Sequence, residues 1–246
     1  MNNVIKDIFY ELNMLDFETF CTILCKFNTK MLVENIARYI ELSRYGIVVS
    51  HNPTISIRSI IKYNRKQRRG LNNITKVIIE TPQDRKISVI IYKDGYILIA
   101  TLKTFDEFTH VINVLTKYLL IEKCIVEHDN KSNIYEFVTN KNEFGIDKIC
   151  NFKFESIMGH FSYNVPIDIN ELCIVINERD LSCNRTKNHV VLRSNGQNLI
   201  FWKSGLIHFS MAKNIEDINK ICQLAKDLLF TQFQKYTKSA SINPVE

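Results

Sequence analysis

The stretch "IYKDGYILIATLKTFDEFTHVINVLTKYLL", Ile91 to Leu120, returns without gaps 110 residues later as "FWKSGLIHFSMAKNIEDINKICQLAKDLLF", Phe201 to Phe230. Lys93, Gly95, Ile97, Lys103 and Leu119 meet Lys203, Gly205, Ile207, Lys213 and Leu229, and residue class agrees almost throughout. A match at one fixed offset is the mark of a duplicated fold unit. Both copies read as strand, tight turn at the glycine, strand, then helix.

The helix starts are the clearest local signal. Thr104 with Glu107, and Asn214 with Asp217, set an N-cap side chain three residues before a carboxylate, as in a capping box. Each helix then carries one apolar stripe at helical spacing: Phe105, Phe108, Ile112, Leu115 and Leu119, then Ile215, Ile218, Cys222, Ala225 and Leu229. Strand alternation sorts the hairpins into two faces. One parity, Ile97, Ile99 and Thr101 with Ile207, Phe209 and Met211, is expected to pack under the helices. The other holds Tyr92, Tyr96, Leu98 and Ala100, then Trp202, Leu206, His208 and Ser210. With helices on one side of an antiparallel sheet, this second face is open yet largely apolar, which marks a binding surface.

Upstream of each copy, Phe20 to Leu42 and Phe152 to Ile176 read as a strand followed by a short helix. Strands at Ile55 to Tyr63 and Thr75 to Glu80 complete the first unit, and Asn188 to Ser194 belongs to the second. The expected organisation is an N-terminal extension over 1–19, a first repeat over 20–120, a polar linker or insertion over 121–150, a second repeat over 151–230 and a tail over 231–246.

Composition narrows the function class. The 246 residues are 46% hydrophobic, enough for a substantial core, and no run nears the roughly 18 apolar residues of a membrane span. The opening "MNNVIKDIFYELN" carries acids inside its apolar pattern, unlike a signal peptide, so a soluble intracellular protein is expected. The seven cysteines are scattered with no metal spacing, and most of them, Cys21 and Cys25 included, read as reduced core fillers. The net charge of +6 favours a polyanion partner mildly. Its densest run is the loop Lys62, Arg65, Lys66, Arg68 and Arg69 before Gly70, which fits a solvated loop, a phosphate-contacting loop or a nuclear-import signal. There is no P-loop, GxGxxG, HExxH or GxSxG, and the six histidines are dispersed, so neither enzyme chemistry nor a cofactor is expected.

Two stretches resemble the TATA-box-binding protein family. "FKFESIMGHFSYNVPIDI", Phe152 to Ile169, runs along the family's strand opening the second repeat, with its Ile-x-Gly step at Ile157 and Gly159 and its Pro-Ile step at Pro166 and Ile167. "LIFWKSGLIHFSMAK", Leu199 to Lys213, carries its Leu-Ile-Phe, Ser-Gly and Ala-Lys landmarks, and "IYKDGYILIATLK" is the first-repeat counterpart. The resemblance implies an α+β fold: a two-repeat saddle of curved antiparallel sheet with helices on its convex face. It also implies a concave face lying in a widened minor groove, with aromatic wedges kinking the duplex. The family's aromatic three residues before the turn glycine falls on Tyr92 and Trp202, although a sole tryptophan also fits a core position.

Other family positions are altered. The second wedge of each repeat falls at Ile74, which can still wedge, and at Lys187, which cannot. The central asparagine becomes Ser156, the threonine after the turn becomes Ala100 and Ser210, and a basic residue after the turn glycine becomes Tyr96 and Leu206. Arg193 falls on a family basic position, and the Lys62 to Arg69 loop would compensate for lost charge. Leu98 and His208 complete the expected DNA face. By resemblance the partners are promoter DNA, a TFIIB-like factor and RNA polymerase, with no membrane and a monomeric pseudo-dimer. The Ile/Lys/Asn-rich composition is similar to that of such proteins in large DNA viruses, so the expected location is the nucleus, or a viral factory or virion. The competing reading is a protein-interaction scaffold of the same fold that no longer bends DNA.

Overall fold

Strands of alternating Ile, Val, Leu and Phe, punctuated by glycine turns, dominate the chain, as their β-branched and aromatic content favours. The structure, a computed structural model, describes residues 2–40, 46–51, 74–126 and 132–240. The expected strand Ile55 to Tyr63 and the basic loop with Arg65, Lys66, Arg68 and Arg69 lie outside the described residues.

The chain divides into two compact units, Met1–Tyr10 with Cys21–Phe154 and Glu11–Phe20 with Glu155–Glu246. Along it run α1 (Asn2–Asn13), β1 (Thr19–Phe27), α2 (Val33–Tyr39), β2 (Gly46–His51), β3 (Ile74–Glu80), β4 (Lys86–Tyr92), β5 (Tyr96–Leu102) and α3 (Phe105–Leu119). The short strands β6 (Lys123–Val126) and β7 (Ser132–Tyr135) precede β8 (Ile149–Ser162). Then come α4 (Ile169–Asn177), β9 (Cys183–Arg185), β10 (His189–Ser194), β11 (Gln197–Trp202), β12 (Leu206–Ala212) and α5 (Ile215–Ala240).

Among the described residues the duplication extends to topology: each repeat runs strand, helix, four strands, helix, and its antiparallel strands lie in the order β2-β3-β4-β5-β1 in the first and β9-β10-β11-β12-β8 in the second. The burial alternation over 91–102 is the same, residue for residue, as over 201–212. Ile91, Ile97 and Ile99 are fully buried in one copy, and Phe201 and Ile207 in the other. Both helices start as their sequences require. Thr104 Oγ1 accepts from Glu107 N (3.2 Å) while the Glu107 carboxylate accepts from Lys103 N (2.7 Å). Asn214 Oδ1 and the Asp217 carboxylate repeat the exchange with Asp217 N and Lys213 N, each at 2.8 Å. Phe108, Val111, Ile112, Leu115 and Leu119 are buried in α3, and Ile218, Ile221, Ala225, Leu228 and Leu229 in α5. Each of these side chains except Ala225 contributes about 1.5–3 kcal/mol of burial, so the helix stripes are a main source of cohesion. Phe105, Ile215 and Cys222, expected in the stripes, sit half-buried at their margins.

One expectation about the faces is corrected. Thr101 and Met211 do not pack under the helices: both are exposed, and Leu102 and Ala212 are fully buried instead. The cause is a one-residue bulge at the same place in both repeats. Cys21 pairs with Leu102 but Ile23 with Ile99, and Phe209 pairs with Gly159 but Ala212 with Ile157. Thr101 and Met211 take up the extra residue at φ +66° and +72°, which flips every later side chain to the other face.

Residues between the repeats are structured. β6 and β7 pair as a hairpin, and Phe137, Val138, Phe144 and Ile149 are buried. Leu32 N donates to Phe137 O (2.8 Å) and Thr139 N to Lys30 O (3.1 Å), so this stretch docks on the connection from β1 to α2. At the N-terminus, α1 buries Ile5 and Phe9, with the Phe9 ring 6.4 Å from Phe105 and 6.0 Å from Phe154. Among the described residues no helix is long and apolar enough to cross a membrane.

Candidate nucleic-acid interface

A sheet covered by helices on one side leaves the other parity of every strand facing outward. In the first repeat the strand register aligns Leu24, Leu98, Ile90 and Lys76 in one cross-strand row. Tyr92 stands opposite Ile74, and Ala100 opposite Ser88. These side chains are half-buried, packed edge to edge but not roofed over. Lys26, on the same face of β1, lies over the Tyr96 ring at 4.2 Å from its centroid and donates to the Asp94 carbonyl. Tyr96 therefore takes the place of a basic side chain but brings a lysine across its ring.

The second repeat builds the equivalent face from different chemistry. His160, His208, Ile200, Val191 and Asn184 form the corresponding row. Trp202 stands opposite His189, with ring centroids 4.6 Å apart, and 6.3 Å from His208, which is itself 5.4 Å from His160. Burial, with the neighbouring His160 second, pushes the His208 pKa below its ordinary value, so the ring is disposed to be neutral. Trp202 is half-buried on this face, while its neighbour Phe201 fills the core. Its Nε1 is buried without a hydrogen-bond partner among the described residues.

The hairpin turns that carry Tyr92 and Trp202 are clasped in the same way. Met31 N donates to Lys93 O and Ile167 N to Lys203 O, both at 3.0 Å. A Cβ on Gly95 would stand 2.3 Å from the Thr29 carbonyl oxygen, and one on Gly205 2.4 Å from that of Val165, and both glycines sit at φ near +90°. Glycine is required there for room and for backbone conformation together.

The expected site residues thus fall on the two open faces, at the bulge, and outside the described residues. Tyr92, Leu98 and Ile74 share the open face of the first repeat; Trp202, His208, Ser210 and Arg193 share that of the second. Arg193 is exposed on β10 opposite Asn198, whose amide donates to Ser210 Oγ at 3.4 Å. Ser156 is instead engaged by the bulge, its hydroxyl oxygen accepting from Met211 N at 3.2 Å. Arg65, Lys66, Arg68 and Arg69 lie outside the described residues, and Lys187 is exposed in the turn between β9 and β10. Sequence reading missed Lys26, Lys76, Ile90, His160 and His189. Extending period-2 alternation outward from the central hairpin would have found them, because Cys21, Ile23, Cys25 and Phe27 fix the inward parity of β1 and Val190 and Leu192 that of β10. The described open-face positions hold lysine, arginine and histidine, with Glu80, opposite Lys86 at the end of β3, the one carboxylate among them.

The buried thiols behave as core. Burial pushes Cys21 and Cys25 up to about 12, which leaves both protonated and inert.

The fold is similar to that of a solved structure, Methanococcus jannaschii TBP, with a TM-score of 0.53 at 12% sequence identity, covering 87% of this chain and 99% of that one. No family model matches the chain, and no curated protein does. At this identity the likeness concerns architecture, and the chain has a TATA-binding-protein-like α+β fold of two antiparallel repeats with helices on one face.

Proposed function

We propose that this protein is a TATA-binding-protein-like transcription initiation factor, a binder and not an enzyme, whose open sheet faces engage the minor groove of A/T-rich promoter DNA. The observation that carries this reading is the helix-free face in both repeats: apolar along its centre and bordered by Lys26, Lys76 and Arg193, with Glu80, opposite Lys86, the one carboxylate among its described positions. Flat apolar surface suits the floor of the minor groove, and cationic margins suit the phosphates. Tyr92 and Trp202 are the wedges in this scheme, held by the clasped turns. Minor-groove readout separates mainly A·T from G·C, so selectivity would follow base composition and deformability. A TFIIB-like factor and RNA polymerase are the corresponding protein partners.

The test is a titration of end-labelled A/T-rich and G/C-rich duplexes at several salt concentrations, with energy transfer reporting the bend. Binding that favours A/T and bends the duplex should weaken by about 1–3 kcal/mol for each of Tyr92→Ala and Trp202→Ala, the scale of one lost aromatic–base stack. Binding that is purely salt-driven, unbent and indifferent to both substitutions would defeat the proposal.

A second reading, a scaffold inside a polymerase-associated complex, is favoured by the helix side of the second unit. Ile174 on α4 and Phe230 and Phe233 on α5 are 55%, 62% and 39% exposed, a costly arrangement unless a partner covers them. Loss of a polymerase-associated partner on Phe230→Ser, with no DNA bending by the parent, would select that reading.

A further inference from the structure

We propose that Cys173 and Cys183 are a redox-active pair that closes into a disulfide and ties α4 to the edge strand β9. Their sulfurs are 2.9 Å apart, inside the contact distance of two unbonded sulfur atoms. Both placements follow from the local fold. Cys173 lies on α4 between the buried Leu172 and Val175, on the flank that packs against β9. Cys183 pairs across the ladder with Leu192, whose side chain is buried on the helix side, so Cys183 points to that side too. Asn184 and its partner Val191 take the open face.

Among the described cysteines this pair stands apart. Cys21 and Cys25 share one parity four residues apart on a strand, roughly 13 Å at the usual rise, too far to be bridged. Cys124 and Cys150 are exposed singly, and Cys222 sits half-buried on α5. Cys173 and Cys183 are half-buried, so a small oxidant can reach them. Burial first, and the contact with Cys173 second, push the Cys183 thiol up to about 12, so Cys183 is assigned as the member that holds its proton until the second step.

The oxidant is a low-molecular-weight disulfide such as oxidised glutathione. The Cys173 thiolate attacks one of its sulfurs, forming a mixed disulfide and releasing one glutathione thiolate. Cys183 then gives up its proton and attacks the Cys173 sulfur, expelling the second glutathione thiol. The pair loses two electrons and two protons, and one glutathione disulfide becomes two thiols. The bridge closes the chain from α4 to β9 and anchors the outer strand of the second repeat, whose following turn carries Lys187.

The experiment incubates the full chain with oxidised glutathione under native conditions and reads intact mass and disulfide-mapped peptides. The expected product has lost two hydrogens, carries a Cys173–Cys183 cross-link reversed by dithiothreitol, and exchanges the amide hydrogens of residues 183–188 more slowly than the reduced protein. Cys173→Ser and Cys183→Ser should each abolish the cross-link and leave the remaining cysteine glutathionylated. The measurement on the unsubstituted chain stands even if a variant misfolds. A cross-link mapped to other cysteines, or glutathionylation of Cys124 and Cys150 with Cys173 and Cys183 still free thiols, would overturn the proposal.

Discussion

Three glycines of the second unit separate two physical effects that usually arrive together. Gly196 sits at φ +76° with nothing within 4 Å of a built Cβ, so Gly196→Ala imposes backbone strain alone, about 1–2 kcal/mol. Gly159 has an ordinary backbone, but its Cβ would fall 2.8 Å from the Glu18 carbonyl oxygen and from the Phe209 ring, so Gly159→Ala is overpacking alone, about 1–3 kcal/mol. Gly205 carries both, φ +90° and a Cβ 2.4 Å from the Val165 carbonyl oxygen. That carbonyl has little freedom to retreat, because Ile167 two residues on donates to Lys203 O at 3.0 Å. Weakening that bond adds about 1 kcal/mol, which places Gly205→Ala at about 3–6 kcal/mol in all. Urea unfolding, followed by far-UV circular dichroism and by the fluorescence of the single tryptophan, Trp202, measures all three. If Gly205→Ala came within about 0.5 kcal/mol of Gly196→Ala, the clasp would be contributing nothing and the argument for a rigidly held Trp202 hairpin would fail.

The helix caps give a paired expectation: Thr104→Ala and Asn214→Ala should each cost about 1 kcal/mol, additively, in the same unfolding assay. Arg85 pairs with Glu107, whose side chain is only 8% exposed, and also donates to Thr101 O at the bulge. Arg85→Met should therefore cost roughly 1–3 kcal/mol by stranding that carboxylate, and restoration by Glu107→Gln in the double variant identifies the charge as the cause. His208 has a folded pKa below its unfolded value of about 6.5, so its contribution to stability is full above that pH and is lost as pH falls through the folded pKa. His208→Gln should flatten the fall in the urea midpoint between about pH 7 and pH 5, and an unchanged slope would show that the ring is not desolvated in solution.

What the sequence made legible follows from which interactions are local. Turn glycines, capping residues and helix stripes act within a few positions of themselves, and they located both hairpins and both long helices. The bulge at Thr101 and Met211 is not local. It is set by β1 and β8, strands far away in sequence whose register lags by one residue, and a threonine at φ +66° has no propensity signal to announce it. The short strands β6, β7 and β9 were invisible for a related reason: three or four residues give too few periods to read. The candidate site was legible in part. Its central hairpin residues were found by parity, whereas Lys26 and Lys76, His160 and His189 join it only through strand order. Over 91–102 and 201–212 the two copies agree residue for residue in burial class yet change chemistry on the outward side: Tyr92 against Trp202, Tyr96 against Leu206, Leu98 against His208, Ala100 against Ser210. Packing under a helix demands apolar side chains even where their shapes differ, as with Ile91 against Phe201, Ile99 against Phe209 and Leu102 against Ala212, so the inward parity kept the duplication readable as a pattern. The outward parity is free of that constraint. It supplies a lysine-bordered aliphatic face in one repeat and a histidine–tryptophan face in the other, so a ligand laid along either meets a surface distinguishable from its counterpart. A pseudo-symmetric fold can therefore favour one orientation of a partner without any break in its internal topology.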